Sequence, residues 1–182
     1  NFGVIICKNK SKLDISSVEK RLRKSLNRST FILGREWPYK NIKPQIIAEK
    51  YMEDIAQGEL RDYKFFCFDG VVKAMLIASG RHSGKDVCVD FYDRDFNWLP
   101  LRQSHENAEI HPQKPMLLSE MITLAERLSL GIPQVRVDLY ESNGQIYFGE
   151  YTFFNSGGLT PFRPEEYDYQ FGEWLTLPDK MI

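Results

Sequence analysis

Val135-Arg136-Val137-Asp138-Leu139-Tyr140-Glu141-Ser142-Asn143-Gly144-Gln145-Ile146-Tyr147-Phe148-Gly149-Glu150-Tyr151-Thr152-Phe153 constrains the architecture more than any other part of the chain. Two β-rich runs flank Asn143-Gly144, a dipeptide suited to the tight turn of a hairpin. Side chains on a strand alternate in direction, so Val135, Val137 and Leu139 face one way while Arg136, Asp138 and Tyr140 face the other. In the second arm the same rule groups Ile146, Phe148, Glu150 and Thr152, opposite Tyr147, Gly149, Tyr151 and Phe153. Arg136, Asp138, Glu150 and Thr152 are thus expected on one side of two adjacent strands. A plain two-residue turn would pair Asp138 with Gly149 and send Glu150 to the far face. The expectation is therefore a three-residue connection, Asn143 to Gln145, with Gly144 left-handed, or an equivalent bulge in the arms.

Two carboxylates brought together repel each other unless a proton or cation intervenes. Hard oxygen ligands at this density suit Mg²⁺, which takes a few carboxylates together with phosphate oxygens and water. An Arg beside them offers neutralisation to a transferring phosphate or an acyl-phosphate. On the pattern alone, an exposed antiparallel face with a cross-strand ion pair is the simpler reading.

Working outward, Tyr63 to Phe68 and Val71 to Ile77 form a second hairpin around Asp69-Gly70, and Val87 to Tyr92 reads as another strand. Leu118 to Ser129 carries Met121, Leu124, Ala125 and Leu128 on one helical face, with Gly131 as its stop. Residues 100 to 115 suit a surface loop, and the aromatic tail (Tyr167, Tyr169, Phe171, Trp174) is expected to pack. Upstream, Phe2 to Cys7 and Gln45 to Met52 read as strands. Ser16 with Glu19 looks like a capping box opening a helix through Val18, Leu22 and Leu26. Its basic back, Arg21, Arg23 and Lys24, is read as a solvated face. The pattern as a whole gives an α+β fold with mostly antiparallel sheet.

The 182 residues carry 24 basic and 25 acidic side chains, a net charge of −1 that argues against nucleic acid as the main partner. No apolar run approaches the ~20 residues of a membrane span. Cys7, Cys67 and Cys88 are odd in number, lack CxxC spacing and sit among apolar neighbours. Buried reduced thiols in a reducing, cytoplasmic setting are the expectation.

Arg136-Val137-Asp138 followed by Glu150-Tyr151-Thr152 resembles the terminal metal-binding hairpin of ATP-grasp ligases, Arg-x-Asp and then Glu-x-Asn. The resemblance implies Asp138, Glu150 and Thr152 as ligands of Mg²⁺, and Arg136 as the catalytic cation facing phosphate or the reacting acyl group. Thr152 stands where Asn is usual, a weaker and neutral oxygen ligand. Ile47-Ala48-Glu49-Lys50-Tyr51-Met52 is similar to the interlobe hinge, so Glu49, Lys50 and Met52 would meet ATP. Asp62-Tyr63-Lys64 is similar to the superfamily's Asp-x-Lys element, with Asp62 toward the ribose and Lys64 toward a phosphate or substrate. More narrowly, Glu36-Trp37-Pro38-Tyr39-Lys40-Asn41, Arg61-Asp62-Tyr63-Lys64-Phe65-Phe66, Ile146-Tyr147-Phe148-Gly149-Glu150 and Glu165-Glu166-Tyr167-Asp168-Tyr169 look like the TupA-like branch, tied to teichuronopeptide and surface-polysaccharide synthesis.

By that likeness residues 1–45 are the remainder of the ATP-grasp small lobe. Residues 46–182 are then the C-terminal nucleotide- and metal-binding lobe, a largely antiparallel sheet with flanking helices. The implied activity is an ATP- and Mg²⁺-dependent ligase joining an activated carboxylate to an amine or similar nucleophile. Its partners would be a nucleotide and a small-molecule or glycan acceptor. The superfamily's Gly-rich phosphate loop is absent, so a missing N-terminal lobe of the same protein is expected, and with it weak ATP binding and no turnover. Two other readings stay open: a glycosyltransferase using the Asp93-Arg94-Asp95 triplet, and a non-catalytic nucleotide-binding fragment.

Overall fold

A computed structural model describes residues 3–52, 60–80 and 86–178. The chain divides into two compact units, Asn1–Met52 and Glu53–Ile182. In the first, helix α1 (Ile15–Leu26) is followed by the short α2 (Thr30–Gly34), with single 3₁₀ turns at Lys10–Lys12 and Trp37–Tyr39. The N-cap of α1 is Asp14, whose carboxylate accepts from the Ser17 amide at 3.1 Å; Ser16 lies inside the helix. An acidic cap satisfies an orphan amide and meets the helix dipole favourably, so it displaces the expected Ser16–Glu19 box. Glu19 instead pairs with Arg23 at 2.6 Å, which leaves the basic back solvated as expected.

The two strands expected in this unit do not form. Residues 3–7 and 45–52 have irregular backbone, and among the described residues the unit contains no strand. A strand needs a neighbour to complete its ladder. Here Val4 and Ile6 are exposed, and so are Ile46 and Ile47.

The second unit is one antiparallel sheet of six strands in the order β4-β3-β2-β1-β5-β6. Its strands are β1 (Asp62–Phe68), β2 (Val71–Ser79), β3 (Cys88–Asp93), β4 (Trp98–Leu99), β5 (Gln134–Ser142) and β6 (Gln145–Thr152). Asp69 and Gly70 both have positive φ, 49° and 77°, so β1 and β2 meet in the tight turn the sequence announces. Helix α3 (Leu118–Ser129) covers one face. Its Leu118, Met121, Ile122 and Ala125 pack on Tyr63, Phe65, Cys67, Val72, Met75, Ile77, Val135, Val137 and Leu139.

The opposite face is covered over only part of its width. Phe66, Phe68, Leu76 and Phe91 lie under Phe162 and Phe171, the latter on α4 (Glu166–Glu173), with Trp174 alongside. These rings meet edge-on, Phe66 to Phe171 at 5.4 Å and Phe68 to Trp174 at 5.6 Å between centroids, a geometry aromatic quadrupoles favour. Tyr167, Phe171 and Trp174 therefore pack, as expected, whereas Tyr169 is exposed. Of the three thiols only Cys67 is buried; Cys7 and Cys88 are half-exposed, which corrects the expectation of three buried cysteines. Burial pushes the Cys67 thiol up to about 11.

Candidate functional site

The register of three strands builds the site. Lys64 on β1 lies opposite Asp138 on β5, and Asp138 lies opposite Glu150 on β6. One row further along, Phe66, Arg136 and Thr152 are aligned in the same way. Because Asn143 and Gly144 have φ of 52° and 72° and form a plain two-residue turn, the three-residue loop is not the device used. The alternative holds: a bulge between Asp138 and Leu139 shifts the register by one residue, so that Leu139 pairs with Phe148 and Gly149 is left over.

Gly149 fits that place because a Cβ there would lie 2.8 Å from the Tyr140 ring and 3.1 Å from the Asp138 carbonyl oxygen. The bulge also corrects simple alternation in the second arm. Tyr147 now shares the face of Glu150 and Thr152, while Ile146 packs into the α3 core beside Tyr151. Phe148, opposite Leu139, meets the Tyr151 ring at 5.0 Å.

The charged groups interlock. The Lys64 ammonium bridges Asp62, at 2.6 Å, and Asp138. Arg136 donates from Nε to Asp138 Oδ1 at 2.7 Å and from Nη2 to Asp138 Oδ2 at 2.8 Å. Nη2 also reaches Thr152 Oγ1 at 2.9 Å and lies 3.6 Å from Glu150. Asp62, Lys64 and Asp138 are buried, whereas the Glu150 side chain is 64% exposed. Partial desolvation, then the Asp138 charge, raise the Glu150 carboxyl above its ordinary value; Lys64 and Arg136 pull it back. Three carboxylates facing two cations leave room for further positive charge on an open surface.

Two polar residues join this group without having been anticipated. Asn155 Oδ1 accepts from Arg136 Nη1 at 2.5 Å, and Asn155 Nδ2 donates to Gln103 Oε1 at 2.6 Å. The only sequence signal was a polar residue between Phe153-Phe154 and Ser156-Gly157-Gly158; Gln103 carried none.

The remaining candidates are on other segments of the chain. Glu49, Lys50 and Met52 belong to the first unit, on irregular backbone, with Glu49 and Lys50 exposed. Asp93 is committed to the turn after β3: Oδ1 accepts from the amides of Asp95 and Asn97, and Oδ2 from the Asn97 side chain at 2.8 Å. Arg94 pairs with Glu126 at 3.1 Å. The Asp93-Arg94-Asp95 triplet is thus in large part turn chemistry.

The antiparallel sheet thus gathers Arg136, Asp138, Asp62, Lys64 and Glu150 on one open face. The family model described as TupA-like ATPgrasp matches residues 2–176, and the chain belongs to that family. Proteins of ATP-grasp families generally bind ATP and Mg²⁺, so a nucleotide partner follows from membership. No curated protein and no solved structure matches the chain. Among the described residues no helix is long and apolar enough to cross a membrane.

Proposed function

We propose that this chain carries the nucleotide- and metal-holding part of an ATP- and Mg²⁺-dependent ligase. The activity would convert a carboxylate to an acyl-phosphate and pass it to an amine or similar nucleophile, with a glycan or small molecule as acceptor in cell-surface polysaccharide or teichuronopeptide assembly. A cytoplasmic setting, where ATP is abundant, suits that chemistry. The observation that carries the reading is the bulged register, which sets Asp138 opposite Glu150 with Arg136 and Lys64 on the same open face.

The donor set fits Mg²⁺. Among the described residues no group of three or more His, Cys, Asp or Glu side chains is placed to hold a metal ion, so a protein-only site is not on offer. A pair of carboxylates completed by phosphate oxygens and water is the arrangement Mg²⁺ accepts. Asp138 and Glu150 would hold the ion, and Thr152 would add a neutral oxygen. The bound ion would offset charge on the phosphates. Lys64 and Arg136 would add fixed positive charge that orients the transferring group. Glu49, Lys50 and Met52 would meet the adenine and Asp62 the ribose. In this scheme residues 1–45 complete the small lobe and 46–182 form the C-terminal lobe.

Calorimetry with Mg²⁺-ATP tests the reading. Glu150→Gln, at an exposed position, and Arg136→Lys should each weaken binding at least about tenfold, the scale of a lost charged contact. Asp93→Asn with Asp95→Asn should leave it unchanged. Unaltered ATP affinity in the hairpin variants, or preferential binding of a nucleotide sugar that depends on Asp93 and Asp95, would overturn the ligase reading in favour of a glycosyltransferase.

A further inference from the structure

We propose that Gln103 and Asn155 are positioning residues that lock the Arg136 guanidinium in the orientation in which it meets phosphate. The inference rests on the reading of the hairpin as a phosphate-binding site. A side-chain amide has two ends that look alike in shape and differ in chemistry, so its neighbours decide which end faces which group. Gln103 is 8% exposed, and its Nε2 donates to the Thr160 carbonyl at 2.7 Å. A backbone carbonyl accepts only, which fixes the amide nitrogen on that side and leaves Oε1 toward Asn155.

Oε1 in turn accepts from Asn155 Nδ2, with the Ser156 hydroxyl at 3.5 Å. That fixes Asn155 with its oxygen toward Arg136 Nη1, at 2.5 Å. Were Asn155 reversed, its NH₂ would face a guanidinium that has only donors. One main-chain carbonyl thus sets the polarity of two amides and, through them, of the arginine.

The consequence lies in the N–H count of Arg136. Nε and both Nη2 hydrogens are directed at Asp138 and Thr152, and one Nη1 hydrogen at Asn155. A guanidinium has five N–H groups in a rigid plane, so one Nη1 hydrogen remains in a direction held from both ends. Without Asn155, the guanidinium loses its tether on the Nη1 side, and the anion it meets must order the side chain on binding. The relay's anchor sits beside the aromatic cover: the Arg102 and Arg163 backbones exchange amide-to-carbonyl hydrogen bonds, and Phe162 is buried in that cluster. Packing of the tail and the aim of Arg136 are therefore linked through Gln103.

The test uses the intact chain labelled with ¹⁵N and reads the Arg136 side chain directly. The parent chain should show separate Arg136 Nη signals, slowed by their hydrogen bonds. Asn155→Leu and Gln103→Met should each collapse the Nη1 signals into fast rotation while the backbone amide spectrum stays dispersed. Both should weaken Mg²⁺-ATP binding by about tenfold, the scale for one hydrogen bond to a charged group. Having the effect at Gln103, which does not touch Arg136, separates a relay from a lost contact.

Unchanged Arg136 signals in both variants would overturn the proposal. So would collapsed signals with unchanged ATP affinity in a chain where Arg136→Lys does weaken binding. If Arg136→Lys itself leaves ATP affinity intact, the phosphate-site reading fails, while the Nη signals still report on the relay.

Discussion

The sheet face turned away from α3 has two halves built by the same rules with opposite chemistry. Along one row of paired residues run Phe91, Leu76, Lys64, Asp138 and Glu150; along the next, Asp93, Ala74, Phe66, Arg136 and Thr152. The β3–β2 side is closed by Phe162, Phe171 and Trp174, and the β5–β6 side is left to charges that cover one another. Alternation decides only which face a residue takes. What sits above that face decides whether the position is filled by hydrocarbon or by ions. In the covered half each side chain loses water and gains dispersion contacts, so damage there should scale with volume removed. In the charged half each ion depends on a specific opposite, so damage should scale with the charge left behind.

That contrast sets the order of expected losses. Lys64→Met strands Asp62 and Asp138 without their shared cation in a buried place, and should cost about 4 kcal/mol. Urea unfolding is the measurement. Adding Asp62→Asn should recover part of the loss, because the two positions share one interaction and their effects do not add. Additive losses would remove the basis for treating this half as an ionic unit.

Phe171→Ala should cost about 3 kcal/mol by opening a cavity under α4. The amide exchange of β1 and β2 should quicken while the β5–β6 turn is little affected. A loss confined to the β5–β6 turn would erase the boundary between the halves.

The smallest effect concerns Glu150 and fades as pH falls. Its carboxyl is raised in the folded chain, so the folded state holds that proton more tightly than the unfolded state does. The stability this contributes is complete below the unfolded value and lost as pH rises through the folded one. Ionised Glu150 is thus a small net cost at pH 7. Glu150→Gln should stabilise the protein there by less than about 1 kcal/mol, given its exposure, and lose that advantage as the pH falls to the unfolded range. Thermal melts across that interval read it; a gain that grows as pH falls would contradict the assigned direction.

Much of this contrast was legible in the sequence. Both hairpins announce themselves through Asp-Gly and Asn-Gly, and α3 through an apolar stripe that ends at Gly131. The meeting of Asp138 and Glu150 was deducible as a requirement, but whether a longer loop or a bulge met it was not. That choice turns on Tyr140 lying over Gly149, a contact between strands that no linear pattern displays. Asn155 and Gln103 escaped for a related reason, since they come together only when the tail folds back on the 100–105 segment. The misread strands at residues 3–7 and 45–52 show the reverse limit. Among the described residues of the first unit their β-prone composition has no ladder to join, and composition alone does not make a strand.

The bulge at Gly149 has one more effect, on how the molecule behaves in company. Strand β6 is an outer edge of the sheet, and an outer edge with a continuous row of free amides and carbonyls invites a stranger's backbone to zip alongside it. Breaking the row at Gly149 splits that invitation into two short stretches, residues 145–148 and 150–152, whose side chains are out of step with each other. A recruit matched to one stretch is mismatched to the next, and the polar Glu150 stands at the seam. The same extra residue that assembles the carboxylates makes this margin of the sheet a poor template for aggregation.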